Sequence, residues 1–319
     1  MERRAQALII ILWILLMLTV ITVSIAHRVS FSLRLCSYQK GRLKTLYLAK
    51  AGLNRAIKEI EKDVNLYDTP DEPWADNEEV FKQIALSDNQ AEFAAVGYTI
   101  VDENKEERPV YGARDEERKI NINKASYELL VILLEKCGIE GSADKANNML
   151  IWRGDKPDDD KIYDALGYPC KGSPFSNIEE IKLVKDISED DFVKLKEYVT
   201  IYSDDDKLNA NTSPKEVLAV FAESLAENEE QKSYAGLIVD DIVAQREEKE
   251  YFKSISEIDI RDVEASSSAD DALYTNLKNK LIVRSNNFLI EATGNAGKIK
   301  NKITVVYKRN GTLLYWHEG

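Results

Sequence analysis

Histidine is nearly missing from this 319-residue chain, which has only His27 and His317, and there are three cysteines, Cys36, Cys137 and Cys170. No zinc-ligand spacing and no CxxC pair can be assembled from so few. There is also no GxSxG, HExxH, GxxxxGK or GxGxxG run, so the usual nucleophile, metalloprotease and phosphate-cradling motifs are excluded. Basic residues are in deficit, 43 Lys plus Arg against 56 Asp plus Glu. That balance argues against nucleic-acid binding, where phosphate contacts supply most of the affinity. Together these absences argue against an enzyme.

What is present is uneven. The first 62 residues carry 11 basic and 3 acidic side chains, a charge of +8, so the remaining residues carry -21 of the total -13. From Ala7 to Val23 runs an uncharged stretch of 17 residues with only Thr19 and Thr22 as polar interruptions. Extended to residue 26 it is long enough, at about 1.5 Å per residue, to cross a hydrocarbon core of about 30 Å. Ser24-Ile25-Ala26 has the small-x-small form of a signal-peptidase site. The apolar run nevertheless exceeds the 7–15 residues or so of a signal core, and a retained membrane helix is the preferred reading.

No proline stands between Arg3 and Val64, so one helix of about 60 residues, roughly 90 Å long, is expected. Leu46, Ala49, Leu53, Ala56 and Ile60 recur at 3,4,3,4 spacing, an apolar stripe made to pack on a sheet or a neighbouring helix. Arg3 and Arg4 precede the span, and Arg28, Arg34, Lys40, Arg42 and Lys44 follow it. By the positive-inside rule alone the body would face the cytoplasm.

Two signatures lie 88 residues apart: Ile120-Asn121-Ile122-Asn123-Lys124-Ala125-Ser126 and Leu208-Asn209-Ala210-Asn211-Thr212-Ser213-Pro214. Phe175-Ser176-Asn177-Ile178 is echoed by Phe252-Lys253-Ser254-Ile255, and Arg153 by Arg246. Two copies of one helical unit are implied. In the second, Ser213-Pro214-Lys215-Glu216 fits a capping box with proline at the first helical position. In the first, Ala125 replaces the serine and Asn123 is the expected cap. The same signature opens helix-hairpin-helix DNA-binding modules, a rival reading. Ala226-Glu227-Asn228-Glu229-Glu230 in the second copy would repel phosphate, which favours a structural or protein-contact module and no nucleic acid.

Residues 92–103 and 109–121 read as strands joined by a turn from Asn104 to Arg108, and residues 122–285 as mostly helix. Strands return at 287–293, 300–308 and 312–317, the last two joined by Asn310-Gly311, a strong hairpin signal. Asp155, Asp158, Asp159 and Asp160 form an acidic loop. It reads either as a solvated turn or as a calcium site built of clustered carboxylates. It is not an EF-hand, because Asp160 and Leu166 stand where that loop needs Gly and Glu.

The start, Arg3-Arg4-Ala5-Gln6-Ala7-Leu8, followed by the apolar run, resembles the prepilin leader of type IV pilins and type II secretion pseudopilins. Leu48-Ala49-Lys50-Ala51-Gly52-Leu53-Asn54-Arg55-Ala56, the two Asn-x-Asn signatures, Trp152-Arg153 and Pro174–Val184 follow in the order of the K-type minor pseudopilin family. Ala5 stands at that family's glycine, and cleavage before Gln6 would put Ile10, not Glu, at the fifth mature position. A carboxylate there needs a partner in the bilayer. A subunit without one suits the first position in a polymer.

The resemblance implies an α+β, type IV pilin-like fold, a long N-terminal helix on an antiparallel sheet. A large α-helical insertion with two SAM-like or helix-hairpin-helix-like repeats would interrupt it. The expected division is a leader over 1–6, a transmembrane helix over 7–26 and the first part of the αβ domain over 27–118. Repeat 1 would span 119–206, repeat 2 207–285, and the C-terminal strands 286–319. The implied protein is a non-enzymatic minor pseudopilin of a type II secretion system, anchored in the inner membrane with its body in the periplasm. It would cap and initiate the pseudopilus, and require no cofactor beyond an optional calcium ion. Its expected partners are other minor pseudopilins, the inner-membrane secretion platform and the prepilin peptidase. A type IV pilus minor pilin, or a membrane-anchored DNA-binding protein of a competence system, is the alternative. In a periplasmic body Cys137 and Cys170 are candidates for a disulfide, with two unlinked thiols the equal alternative.

Overall fold

The computed structural model describes residues 2–85, 91–101, 106–159, 161–259 and 268–319. With no proline to break it, the N-terminal segment forms one helix of 61 residues, α1 (Glu2–Lys62). Residues 7–40 of α1 are exposed, and one window of it is apolar and long enough to cross a membrane. Farther along, the apolar stripe meets the body. Ala49, Leu53, Ala56 and Ile60 are buried, and Leu46 packs at their edge.

After α1 come α2 (Glu78–Phe81), β1 (Ile84–Ala85), β2 (Glu92–Val96), β3 (Tyr98–Val101), β4 (Glu107–Val110) and β5 (Arg114–Asp115). A second group follows, β6 (Ile120–Asn121), α3 (Tyr127–Lys136), α4 (Ser142–Trp152), α5 (Glu189–Leu195), β7 (Val199–Thr200) and β8 (Leu208–Asn209). It continues through α6 (Lys215–Ser224), α7 (Glu229–Glu248), α8 (Ser268–Asn279) and β9 (Leu281–Ile282). The chain ends with β10 (Asn287–Ala296), β11 (Ile299–Lys308) and β12 (Thr312–Glu318).

The main sheet is antiparallel in the order β1-β2-β10-β11-β12, and β5 pairs with the start of β10. One face of it packs on α1, where Val96, Ile290, Ala292, Ile303, Val305 and Tyr307 close over the helical stripe. The fit depends on small residues. A Cβ on Gly294 would lie 1.9 Å from the Thr45 carbonyl oxygen and 2.7 Å from the Ala49 nitrogen, so β10 lies directly against the α1 backbone. Gly311, at φ 95°, makes the β11–β12 hairpin turn expected at Asn310-Gly311.

A second, larger core gathers α3, α4, α6, α7 and α8, with Leu130, Leu133, Met149, Leu218, Phe221 and Ile238 among its buried side chains. All of these elements lie in sequence between β5 and β10, so the helical region interrupts the strands of the main sheet.

The strand expected over 92–103 is broken. Strand β2 ends at Val96, and β3 pairs instead with β4 as a separate hairpin; Gly97 lies so close to β4 that a Cβ there would stand 2.3 Å from the Val110 carbonyl oxygen. The strand expected over 109–121 is likewise divided among β4, β5 and β6. Asn104, at the start of the expected turn, lies outside the described residues.

Candidate functional site

The two Asn-x-Asn signatures fold into matching hydrogen-bond frames. In each, two residues at the start of a repeat form a short strand, β6 or β8, paired in parallel with β7 or β9 near the repeat's end. The Asn123 side chain accepts from the Phe175 N–H at 2.7 Å and donates to its carbonyl at 2.9 Å, and Asn211 does the same with Phe252 at 2.9 Å in both directions. Asn121 and Asn209 each accept from the backbone N–H two residues on, at 2.9 Å. Asparagine suits these places because it offers an acceptor and donors on one short side chain. The echo of Arg153 by Arg246 is also physical. Both guanidiniums donate to carbonyls of their own signature, Ile122 and Ala125 for Arg153, and Ala210, Asn211 and Ser213 for Arg246.

The capping scheme differs from that expected. Helix α3 is capped by Ser126, whose hydroxyl accepts from the Leu129 N–H at 3.1 Å, while Asn123 is committed to Phe175. Helix α6 starts after Pro214 with no side-chain cap, so no capping box forms at Ser213. Ser213 sits one residue too early for it.

The run Asp115-Glu116-Glu117-Arg118-Lys119 joins the sheet to the helical region and carries its densest buried charge. Asp115 accepts from the Glu117 N–H at 2.8 Å and the Ser285 hydroxyl at 2.7 Å, and also from the Thr212 hydroxyl. Glu117 takes both the backbone N–H and the side-chain amide of Asn287, at 3.0 and 2.7 Å, while its carbonyl accepts from the Asn209 N–H. Glu116 accepts from the Thr200 hydroxyl at 2.6 Å. Nearby, Asp68 accepts from the Ser285 N–H at 2.6 Å and pairs with Arg309, which also reaches Asp63 at 3.0 Å. Burial, opposed by Arg309, pushes Asp68 up to about 7, and burial raises Asp115 and Glu117 as well. Among the described residues, the cluster Asp63, Asp68 and Glu72 is the grouping of carboxylates compact enough for a cation. Arg309 already supplies positive charge to two of the three.

Asp155 pairs with Arg153, Asp158 accepts from the Ile162 N–H at 2.8 Å, and Asp160 lies outside the described residues. Cys36, Cys137 and Cys170 are free. Cys137 is the C-cap of α3 and its thiol is pushed up to about 11 by burial, while Cys170 donates to the Ile151 carbonyl at 3.4 Å. Ala5 and Gln6 fall in the first turns of α1.

A mixed surface borders α1. Strand β12 forms one edge of the main sheet, and Trp316, paired with Val305, shares the face that looks toward α1. Lys50 of α1 lies 5.8 Å from the Trp316 ring, 6.0 Å from the Tyr47 ring and 3.7 Å from Glu318. Leu43, Tyr47, Leu314 and Trp316 remain exposed along this edge. A shallow cleft of about 280 Å³ lies beside it, lined by Leu43, Leu46, Asn301 and Gly319.

This is a mixed α/β fold in which the C-terminal part of a long N-terminal helix packs on an antiparallel sheet. The chain is similar, at a TM-score of 0.65 and 15% identity, to a chain of the crystal structure of the GspK–GspI–GspJ complex from the type 2 secretion system of enterotoxigenic Escherichia coli. The similarity covers 90% of this chain and 99% of that one. No known family model and no curated protein sequence matches it.

Proposed function

We propose that this protein is a non-enzymatic minor pseudopilin of the K type in a type II secretion system, anchored by α1 in the inner membrane with its body in the periplasm. The observation that carries the reading is the combination of an exposed apolar α1 with a fold matched along 90% of the chain to a subunit of a minor-pseudopilin complex. In this reading the protein sits first in the pseudopilus. The helical region between β5 and β10 would obstruct stacking within a helical filament and is free only at its end. Ile10 asks for no terminal amine from a subunit ahead of it. Other minor pseudopilins are its partners, packing their long helices against the exposed Leu43, Tyr47 and Trp316 beside β12.

The test is co-purification of the full chain with the other minor pseudopilins. Tyr47→Glu combined with Trp316→Glu is expected to reduce recovery of the complex at least ten-fold while leaving the melting temperature of the isolated protein unchanged. Both side chains are exposed, and surface changes of this kind cost about 0.5 kcal/mol or less. Distribution of the protein along the filament, or normal secretion in its absence, would defeat the reading.

The leader provides a second check. If the prepilin peptidase processes the chain, mass spectrometry of the membrane-extracted protein will find Gln6 as the first residue. An intact Met1 would show that Ala5 blocks cleavage, and His27 at the N-terminus would reveal ordinary signal cleavage instead.

A further inference from the structure

The two repeats hold their arginines in the same way at one end of the guanidinium and differently at the other. In repeat 1 the fork is completed by a carboxylate: Arg153 Nε donates to Asp155 at 2.8 Å and Nη2 reaches the same oxygen, while Nη1 and Nη2 also hold the Ile122 and Ala125 carbonyls. In repeat 2 Arg246 makes the matching backbone contacts through Nη1 alone, to Ala210 at 3.2 Å and Ser213 at 2.9 Å. Ala210 and Ser213 stand 88 residues after Ile122 and Ala125. Among the described residues, Nε and Nη2 of Arg246 have no hydrogen bond or ion pair, and neither is sealed from solvent.

Arg246 lines a cleft of about 720 Å³ together with Asn65, Thr69, Asp71, Ser213 and Tyr251. Ser213 supplies the second, independent sign. It is 1% exposed, and its hydroxyl has no hydrogen-bond partner. Repeat 1 has Ala125 at this place and needs no hydroxyl, so the serine is an added polar group that α6 does not use as a cap. A buried polar atom without a partner is costly, so the Ser213 hydroxyl gains from any acceptor that reaches it. Arg118 lines an adjoining cleft that shares Pro70, Asp71 and Thr212 with this one, and it too has no ion pair among the described residues.

We propose that the Arg246–Ser213 cleft is a binding site for a carboxylate, presented by an acidic side chain of a peptide segment from a partner protein. The carboxylate occupies in repeat 2 the role that Asp155 fills within repeat 1, taking Arg246 Nε and Nη2 as a bidentate pair and the Ser213 hydroxyl as a third donor. Planar two-oxygen ligands match the guanidinium fork. A singly charged carboxylate is favoured over a phosphate dianion because Asp71, Glu72, Glu247 and Glu250 already line the cleft. A cleft of this volume also admits the residues flanking an acidic side chain. The site does not depend on the pseudopilin assignment, and its test is separate from assembly.

The full chain, arginine-labelled with ¹⁵N in detergent micelles, should show saturable movement of the Arg246 Nε–H resonance on titration with the capped peptide acetyl-Gly-Glu-Gly-amide. Arg246→Lys assigns that resonance by removing it. Ser213→Ala restores the residue that repeat 1 carries and is expected to fold; it should weaken binding about ten-fold, the share of one hydrogen bond to a charged group. The glutamine version of the peptide should leave the resonance in place. The proposal is overturned if the glutamine peptide acts equally, if Ser213→Ala changes nothing, or if no saturation appears. Tighter binding of inorganic phosphate would overturn the carboxylate, and equal binding of propionate would overturn the peptide source.

Discussion

Replacing Gly294 by alanine is expected to cost about 3 kcal/mol or more and to separate the sheet from the long helix. The added Cβ would stand 1.9 Å from the Thr45 carbonyl oxygen and 2.7 Å from the Ala49 nitrogen, and both are backbone atoms that no side-chain rotation can move. Either β10 lifts from α1 or the helix bends, and each outcome opens the core formed by Ala49, Leu53, Ile290 and Ile303. Overpacking of ordinary cores costs about 1–3 kcal/mol, and here a main-chain contact lies at the closest point. Against a total stability of about 5–15 kcal/mol, such a loss is severe. Gly52, on the helix side of the same interface, provides the comparison. Its Cβ would meet the Ala94 Cβ at 3.2 Å and a Val96 methyl at 3.4 Å, so β2 must give by only a few tenths of an ångström, and alanine recovers up to about 1 kcal/mol of helix propensity. Gly52→Ala should therefore cost far less than Gly294→Ala. Urea unfolding of the full chain in detergent distinguishes the two. Equal midpoints for Gly294→Ala and the parent would show that β10 does not sit against α1 as described.

The parts of this fold that could be read from sequence are those in which local pattern and tertiary environment agree. The proline-free stretch gave α1, and the 3,4 spacing from Leu46 to Ile60 identified its buried face because a helix must turn such a stripe inward. Strands β10 to β12 were legible from their β-branched runs and from Asn310-Gly311. The repeat was visible because its asparagines and arginines bind backbone, and backbone looks the same in both copies. Residues 115–119 were illegible for the opposite reason. The pattern reads them as part of a strand over 109–121, in which charged side chains would face solvent, yet Asp115, Glu116, Glu117 and Lys119 are each 5% exposed or less. Their partners Thr200, Thr212, Ser285 and Asn287 come from 84 to 170 positions away, and no local pattern announces them. Ser213 misled for a related reason. The Ser-Pro-x-Glu pattern is a valid helix start, but the chain begins α6 one residue later than the pattern requires.

Asp68 should make the stability of the protein fall as pH rises from about 4 to about 7, with Arg309 opposing part of the effect. Asp68 is fully buried, and burial outweighs the attraction of Arg309, so its carboxyl titrates near 7 in the folded protein. In the unfolded chain it titrates near 4. Between those values the folded state holds a proton that the unfolded state has released, and stability must decline with rising pH. The favourable contribution is complete below about pH 4 and gone above about pH 7. Its upper bound is about 4 kcal/mol, from about 1.4 kcal/mol per unit. Glu72, Asp115 and Glu117 are raised in the same direction, again with burial as the first cause, so they add to the slope instead of cancelling it. Asp68→Asn keeps a short polar side chain in place and removes the titration; the melting temperature should then depend less on pH across this window, and at pH 8 the variant should match or exceed the parent. Arg309→Met tests the other half of the pair. Leaving Asp63 and Asp68 without their guanidinium should cost about 3–5 kcal/mol at pH 8, and less at pH 4, where Asp68 is neutral. A pH profile for Asp68→Asn as steep as that of the parent would show that this carboxylate does not govern the junction.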